Sequence, residues 1–353
     1  MKRTIALVMS LLLAATLIVA CSNEMDSQAT AETEPAAAAQ HAPDPPPAEE
    51  SGEDYSHITV AWVSPLVAHE FYDYAKQGME DVGRMFGFQT YWTGADDHTS
   101  EMMIEAMERV IADGVDAIGT VPLSESAWAP ILQRSVDMGI PVAAAAIDVS
   151  EHLRVGFVGT DSHAVGLKMI EESHRVAGTD ELYIGILMSN LDTANQLIQK
   201  DAVEEYLVTN NIGGGGIVDV RETFGDSVTA LTVSEQMLAA YPEMNIILAF
   251  TGEGGAAAGR AANEAGRDIV IIGMDDSEYT INAIRNGWQH ASMAQNCYKW
   301  GFYTTKMAFL AAVGRLDEMQ TLHIDSGVVM LTIDNLDTYA EEFYIMPEDT
   351  FNP

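Results

Sequence analysis

From Ile58 onward the chain alternates short apolar runs with longer amphipathic stretches. Ile58-Thr59-Val60-Ala61-Trp62-Val63 has the unbroken, β-branched character of a strand buried on both faces. Residues from about Glu70 to Phe86 then carry apolar positions at helical spacing, up to the stop at Gly87. Phe88 to Trp92 predicts a second strand, Ser100 to Asp113 a helix ended by Gly114, and Val115-Asp116-Ala117-Ile118 a third strand. A further helix ends near Met138-Gly139, and Ile140-Pro141-Val142 opens a strand that reaches Ile147. Strand, helix, glycine and strand in repetition predict right-handed crossovers and a parallel sheet with helices on both faces.

The pattern restarts after Asp161. Strands are expected at Leu182 to Met188, Gly216 to Arg221, Asn245 to Phe250 and Asp268 to Gly273, with helices near 193–209, 227–240 and 254–265. Two similar half-chains predict two doubly wound α/β lobes. Open parallel sheets bind ligands beyond the carboxyl ends of their strands, so two facing sheets place those loops around one cleft. Polar residues at strand ends become the candidates for contact.

The N-terminus follows a different grammar. Lys2 and Arg3 precede an apolar run from Ile5 to Ala20, shorter than the ~20 residues a spanning helix needs and closed by Ile18-Val19-Ala20-Cys21. This reads as a secretion signal over 1–21 whose small residue before cysteine resembles a bacterial lipobox, with Cys21 the expected lipidation site. Residues 22–56 hold nine acidic residues, no Lys or Arg, an Ala run at 36–39 and Asp44-Pro45-Pro46-Pro47. Such a stretch cannot bury enough apolar surface to offset its ordering entropy, so it reads as an acidic Pro/Ala tether whose function is reach. The expected location is extracytoplasmic, with the membrane engaged only through the lipid.

Charge narrows the partners. Of the net charge of −36, the leader contributes +2 and the tether −9, so −29 falls on the roughly 300 residues that remain, enough for full-sized cores. Phosphate repulsion excludes a nucleic-acid partner and disfavours anionic lipid surfaces. One of the two cysteines is the lipid site, which leaves Cys297 alone and excludes an internal disulfide framework. Cys297 reads as a small buried hydrophobe.

Catalytic chemistry finds little support. Gly252-Glu253-Gly254-Gly255-Ala256-Ala257 follows a strand and precedes a helix, with Asp275 about 20 residues later, as in a dinucleotide fingerprint. It falls far from the first βα unit, and Glu253 would repel a pyrophosphate, so an NAD-binding enzyme stays a remote alternative and the glycines read as a tight turn and close helix packing. No G-x-S-x-G elbow and no HExxH occur, and the nine histidines lack metal-ligand spacing. No catalytic residue, cofactor or metal is expected.

Several segments in order carry a family likeness: Ala112-Asp113-Gly114-Val115-Asp116-Ala117-Ile118, Gly139-Ile140-Pro141-Val142, Val158-Gly159-Thr160-Asp161, Ile272-Gly273-Met274-Asp275 and Met293-Ala294-Gln295-Asn296. Over about residues 57–333 the chain resembles the periplasmic solute-binding proteins of the ribose- and galactose-binding type that feed ATP-driven importers. The resemblance implies an N-terminal lobe of 57–158 plus 295–324 and a C-terminal lobe of 161–290 plus 328–345. They would be joined by a three-crossing hinge near 158–161, 290–295 and 324–328.

The same resemblance implies the site. Phe71 and Tyr72 stand where the family stacks aromatics on a sugar, with Phe224 similar to a second stacking residue. Asp148 and Asp275 end strands where the family places carboxylates that accept from sugar hydroxyls, and Gln295 fits the amide of a crossing strand. Glu253 stands where an asparagine is common, Asp97 lies in the loop after the second strand, and Asn190 ends another strand at the cleft. Two arginines of the ribose-binding members are missing, because those places read Val149 and Gln199. That opens the ligand among pentoses, hexoses, polyols and a sugar-like signal molecule. The implied function is capture of such a ligand by hinge closure of a monomer and delivery to a membrane permease, the alternative being presentation to a sensor kinase or chemoreceptor.

Overall fold

The computed structural model describes residues 53–68, 70–96 and 99–345; the leader, Cys21, most of the tether and Asp97 lie outside them. Two six-stranded sheets organise the chain. The first has the order β11-β5-β4-β3-β1-β2, with β1 Thr59–Ser64, β2 Gln89–Gly94, β3 Ala117–Thr120, β4 Val142–Ala145, β5 Gly156–Gly159 and β11 His323–Asp325, all parallel. The second runs β12-β10-β9-β8-β6-β7, with β6 Glu181–Met188, β7 Gly213–Glu222, β8 Ile246–Ala249, β9 Val270–Met274, β10 Ala291–Gln295 and β12 Val328–Leu331. Only the β10–β12 pair in it is antiparallel.

Central strands such as β3, β4 and β8 are buried at every position, as parallel strands covered on both faces must be. Four apolar clusters account for the four sheet faces. In the first lobe one gathers Trp62, Met79, Phe302 and Phe309 beneath α1 (Asp73–Phe86) and α9 (Cys297–Ala312). The opposite face gathers Met103, Met107, Trp128 and Leu132 beneath α2 (Ser100–Asp113) and α3 (Glu125–Asp137). In the second lobe α4 (Ser162–Ala177) and α5 (Ala194–Thr209) cover one face, and α6 (Ser227–Ala240) and α7 (Gly254–Glu264) cover the other.

Local chemistry sets the boundaries. The side chains of Asp161 and Asp226 accept the N–H groups of Ala164 at 2.9 Å and Thr229 at 2.7 Å, satisfying orphan donors at the starts of α4 and α6. Gly87 and Gly114 end α1 and α2 in the left-handed conformation. The expected helix from Glu70 begins as a single 3-10 turn, Glu70–Tyr72, before α1 proper. The strand expected to reach Ile147 stops at Ala145, because Ala146 takes φ 61° and turns the chain.

The chain passes between sheets three times, after β5, after β10 and after β11. Ser326 ties the first and last passages: its N–H donates to Gly159 O at 2.7 Å, its Oγ lies 3.3 Å from Thr160 Oγ1, and Trp300 Nε1 donates to that Oγ at 3.1 Å. Helix α9, which follows the second passage, packs on α1 at near backbone contact. A Cβ on Gly301 would lie 1.8 Å from Ala75 O, and one on Gly78 would lie 2.3 Å from Tyr298 O. Packing against the first lobe also begins before His57. Tyr55 is buried edge-on against Phe309 with ring centroids 5.0 Å apart, and Arg315 Nη1 donates to its hydroxyl at 2.8 Å. The boundary expected at residue 56 therefore falls inside a segment that is already anchored.

Replacing Gly301 with Leu forces α1 and α9 apart or strains both, and is expected to cost about 3 kcal/mol. A urea melt of the variant beside the parent checks this; an unchanged midpoint would show that the contact is dispensable.

Candidate functional site

The ends of the second sheet's strands are tied into one platform. Asp275 follows β9 with φ 62°, a left-handed conformation unusual for a non-glycine residue. Three bonds hold it there: its N–H donates to Met293 O at 2.9 Å, Ser292 Oγ donates to its carbonyl at 2.7 Å, and Gln295 Nε2 donates to Oδ1 at 2.8 Å. A Cβ on Gly252 would stand 2.8 Å from Asp275 Oδ2, so any larger residue there would displace this carboxylate. The next residue, Glu253, receives a 2.6 Å bond from Thr223 Oγ1, which also lies 3.2 Å from Met188 O.

Phe224 takes φ 55°, with its N–H bonded to Ser189 O at 2.9 Å, and the residue is 64% exposed. Backbone strain is tolerated where surrounding bonds over-determine it, and it here presents an aromatic face to solvent. Buried Gln196 completes the platform: Oε1 accepts Ser189 N–H at 2.8 Å, and Nε2 donates to Phe250 O at 3.0 Å. Asn190 lies exposed in the same loop, its carbonyl accepting Thr193 N–H at 3.2 Å.

Across the seam, the first lobe contributes Phe71 and Tyr72 from the 3-10 turn. Their rings meet edge-on at 5.0 Å, and Phe71 meets Trp300 at 5.9 Å. Phe71 is half-buried, whereas Tyr72 is buried in the first lobe's cluster. Tyr72 shares an apolar cluster with Ala294 and Cys297, on either side of Gln295 and Asn296, and burial, then the electrostatic influence of Cys297 and Asp275, pushes its hydroxyl above its usual range.

Asp148 is held elsewhere. After the turn at Ala146 its carboxylate forms a bidentate pair with Arg154, Nε to Oδ1 at 2.5 Å and Nη2 to Oδ2 at 2.9 Å, and accepts Val149 N–H. His323 Nδ1 lies 3.8 Å from Oδ2, and the Arg154 guanidinium sits 5.9 Å above the Phe157 ring. Thus Tyr72, Glu253, Asp275 and Gln295 share one neighbourhood. Asp148 instead faces Arg154 and His323 of the first lobe. An arginine is absent at position 149 yet reaches the carboxylate from position 154.

Residues unforeseen from sequence complete the floor. Asp276 accepts at Oδ2 from Tyr339 OH at 2.7 Å and Tyr344 OH at 2.6 Å. Burial raises its carboxyl above the usual range even though those hydroxyls stabilise the charge. Asp275 is pushed up to about 7, first by burial and then by the negative charges of Asp276 and Glu253, against the lowering bond from Gln295. Burial and the same two aspartates raise the Cys297 thiol well above its normal range, so it is a protonated hydrophobe and not a nucleophile. The glycines after β8 have a packing role, since a Cβ on Gly255 would fall 2.7 Å from Gln289 Oε1. Among the described residues no His, Cys, Asp or Glu group is arranged to hold a metal.

Two α/β lobes with a polar platform at their strand ends define a class: residues 60–316 match the model of the periplasmic binding protein domain. The chain belongs to that family. It is 23% identical over 247 residues to the ribose import binding protein RbsB of Bacillus subtilis, covering 67% of this chain and 76% of that protein. It is 23% identical over 277 residues to the xylitol-binding protein of Mycolicibacterium smegmatis, 75% of each. A solute-binding protein of an ABC transporter from Burkholderia graminis, solved with D-arabinose, superposes with a TM-score of 0.74 at 22% identity over 81% of this chain and 99% of that one. One from Bacillus halodurans with bound myo-inositol gives 0.71 at 21%, over 82% and 99%.

Because the folded-state Asp275 carboxyl stands above its ordinary 3.8, the native state holds a proton that the unfolded chain releases. Its contribution to stability is complete below pH 3.8 and is lost as pH rises through about 7. The unliganded protein is therefore expected to melt at lower temperature as pH goes from 5.5 to 8.5. Asp275→Asn should flatten that slope, and an equal slope in both proteins would refute the assignment.

Proposed function

We propose that this protein is an extracytoplasmic solute-binding lipoprotein that captures a sugar or polyol between its lobes and delivers it to an ABC import permease. The observation that carries this reading is the pairing of Asp275 with Gln295 at the seam, inside a chain of the periplasmic binding protein family. Oδ1 accepts from the amide, and Oδ2 is offered to a ligand hydroxyl. Gln295 can accept from and donate to a second hydroxyl. Phe71 and Phe224 supply apolar faces from opposite lobes for the C–H surfaces of a ring. The ligands named for relatives, ribose and xylitol, and those in the similar structures, D-arabinose and myo-inositol, are all uncharged and rich in hydroxyls. That chemistry suits a site of carboxylate, amide and aromatic groups.

Among the described residues no helix is long and apolar enough to cross a membrane. The leader ending at Cys21 supplies the anchor in this reading, and the acidic stretch after it supplies reach.

Titration calorimetry with D-ribose, D-xylose, D-arabinose, xylitol and myo-inositol is expected to find at least one that binds. Asp275→Ala should weaken that binding by about 2 kcal/mol, roughly thirtyfold in Kd, while leaving the melting transition cooperative. Undiminished affinity would remove Asp275 from the site. For the anchor, expressing Cys21→Ser in a bacterial host fed radiolabelled palmitate should abolish incorporation; label retained on the variant would overturn lipidation at Cys21.

A further inference from the structure

The chain crosses between the sheets three times, yet its last described residues make a fourth link that is not covalent. After β12 the segment is pinned to the second lobe where Arg285 Nη2 pairs with Asp337 at 2.8 Å. The short helix α10, Tyr339–Phe343, then leads to Tyr344. The Tyr344 ring stacks on Tyr74 of α1 in the first lobe, centroids 4.0 Å apart and planes 11° from parallel. Its hydroxyl meanwhile donates to Asp276 of the second lobe at 2.6 Å and lies 3.3 Å from Gln295 O. Tyr344 is buried in the same apolar cluster as Tyr72, Ala75 and Met79 of the first lobe. Asn296, at the second crossing, fastens the segment by donating Nδ2 to Phe343 O at 2.6 Å.

From this geometry we propose that residues 339–344 are a strap across the hinge, and that Asp276 is a positioning residue through which the strap fixes Asp275. One side chain touches both lobes by two different interactions. Its ring buries apolar area against Tyr74, and its hydroxyl satisfies a carboxylate that has little water around it. Rotation of one lobe against the other must slide the stacked rings or withdraw the hydroxyl from Asp276, and each costs free energy. Asp276 is adjacent in sequence to Asp275, so two tyrosine donors on its Oδ2 also hold the backbone that sets Asp275 in its left-handed conformation. The strap thus restricts the range of interlobe angles and orders the ligand carboxylate before ligand arrives, a pre-organisation that raises affinity. The part concerning Asp275 rests on the function proposed above; the part concerning the hinge does not.

The experiment separates the two. Donor and acceptor dyes are attached through non-natural amino acids at Met138 of the first lobe and Val208 of the second, both exposed, in the full-length chain. Single-molecule energy transfer without ligand is expected to give a narrow distance distribution in the parent and a broader one in Tyr344→Phe, which loses only the hydroxyl. Tyr74→Leu should broaden it as well, and Tyr74→Phe, which keeps a stacking ring, should restore the parent width. With whichever of D-ribose or D-xylose binds the parent as probe, Tyr344→Phe and Asp276→Asn are each expected to weaken binding about fivefold. Distributions equally narrow in all variants would overturn the strap, whatever Asp275→Ala does to binding. A broadened distribution with unchanged affinity would overturn the positioning role of Asp276 and leave the strap. Loss of the ligand effect of Asp275→Ala with broadening retained would count against the ligand site alone.

Discussion

Two adjacent carboxylates stand half-buried at the seam between the lobes, and the charges acting on Asp275 are themselves negative. A buried ionised carboxylate is costly unless donors surround it or it keeps its proton. Here the donors are neutral: an amide from Gln295 for Asp275, and two phenol hydroxyls from Tyr339 and Tyr344 for Asp276. Each donor comes from a segment that crosses or follows the hinge. The bonds to Asp276 break if the C-terminal segment moves, whereas the Asp275–Gln295 bond lies within the second sheet.

The arrangement also bears on ligand type. Arg154, the arginine that binds Asp148, is consumed within the first lobe in a bidentate pair. The platform of the second lobe presents carboxylates, an amide and an exposed phenylalanine. An anionic ligand would meet repulsion from Glu253, Asp275 and Asp276, whereas a polyhydroxylated neutral one could donate to them. With a pKa near 7, Asp275 can accept from a hydroxyl when ionised or donate when protonated.

Legibility followed the range of the forces involved. Some helices were readable almost to the residue: α2 at Ser100–Asp113 and α6 at Ser227–Ala240 occupy the expected spans, whereas α4 was not foreseen and β7 runs past its expected ends to Gly213–Glu222. Their caps, glycine stops and apolar periods are local. The candidate carboxylates show the limit. Asp148 and Asp275 carry the same signal, an acid just past a buried strand, yet only Asp275 meets Gln295 at the seam. The turn at Ala146 and the reach of Arg154 from six positions away decide the other. Tyr72 was read as a stacking face, but α1 begins one residue later and the ring is packed inward.

By itself the order of apolar and polar positions determined two doubly wound sheets, their helices and the strand ends where polar groups would gather. Backbone propensity and burial are properties of short stretches, so that much is written locally. Which side chains meet at those ends was decided only by the fold. Asp276 and Tyr344 are 68 positions apart, and Tyr74 and Tyr344 lie on different lobes. Contacts of that kind exist because α9 returns to α1 and the last segment crosses back over the hinge, and no local pattern in the chain encodes a distance across that gap.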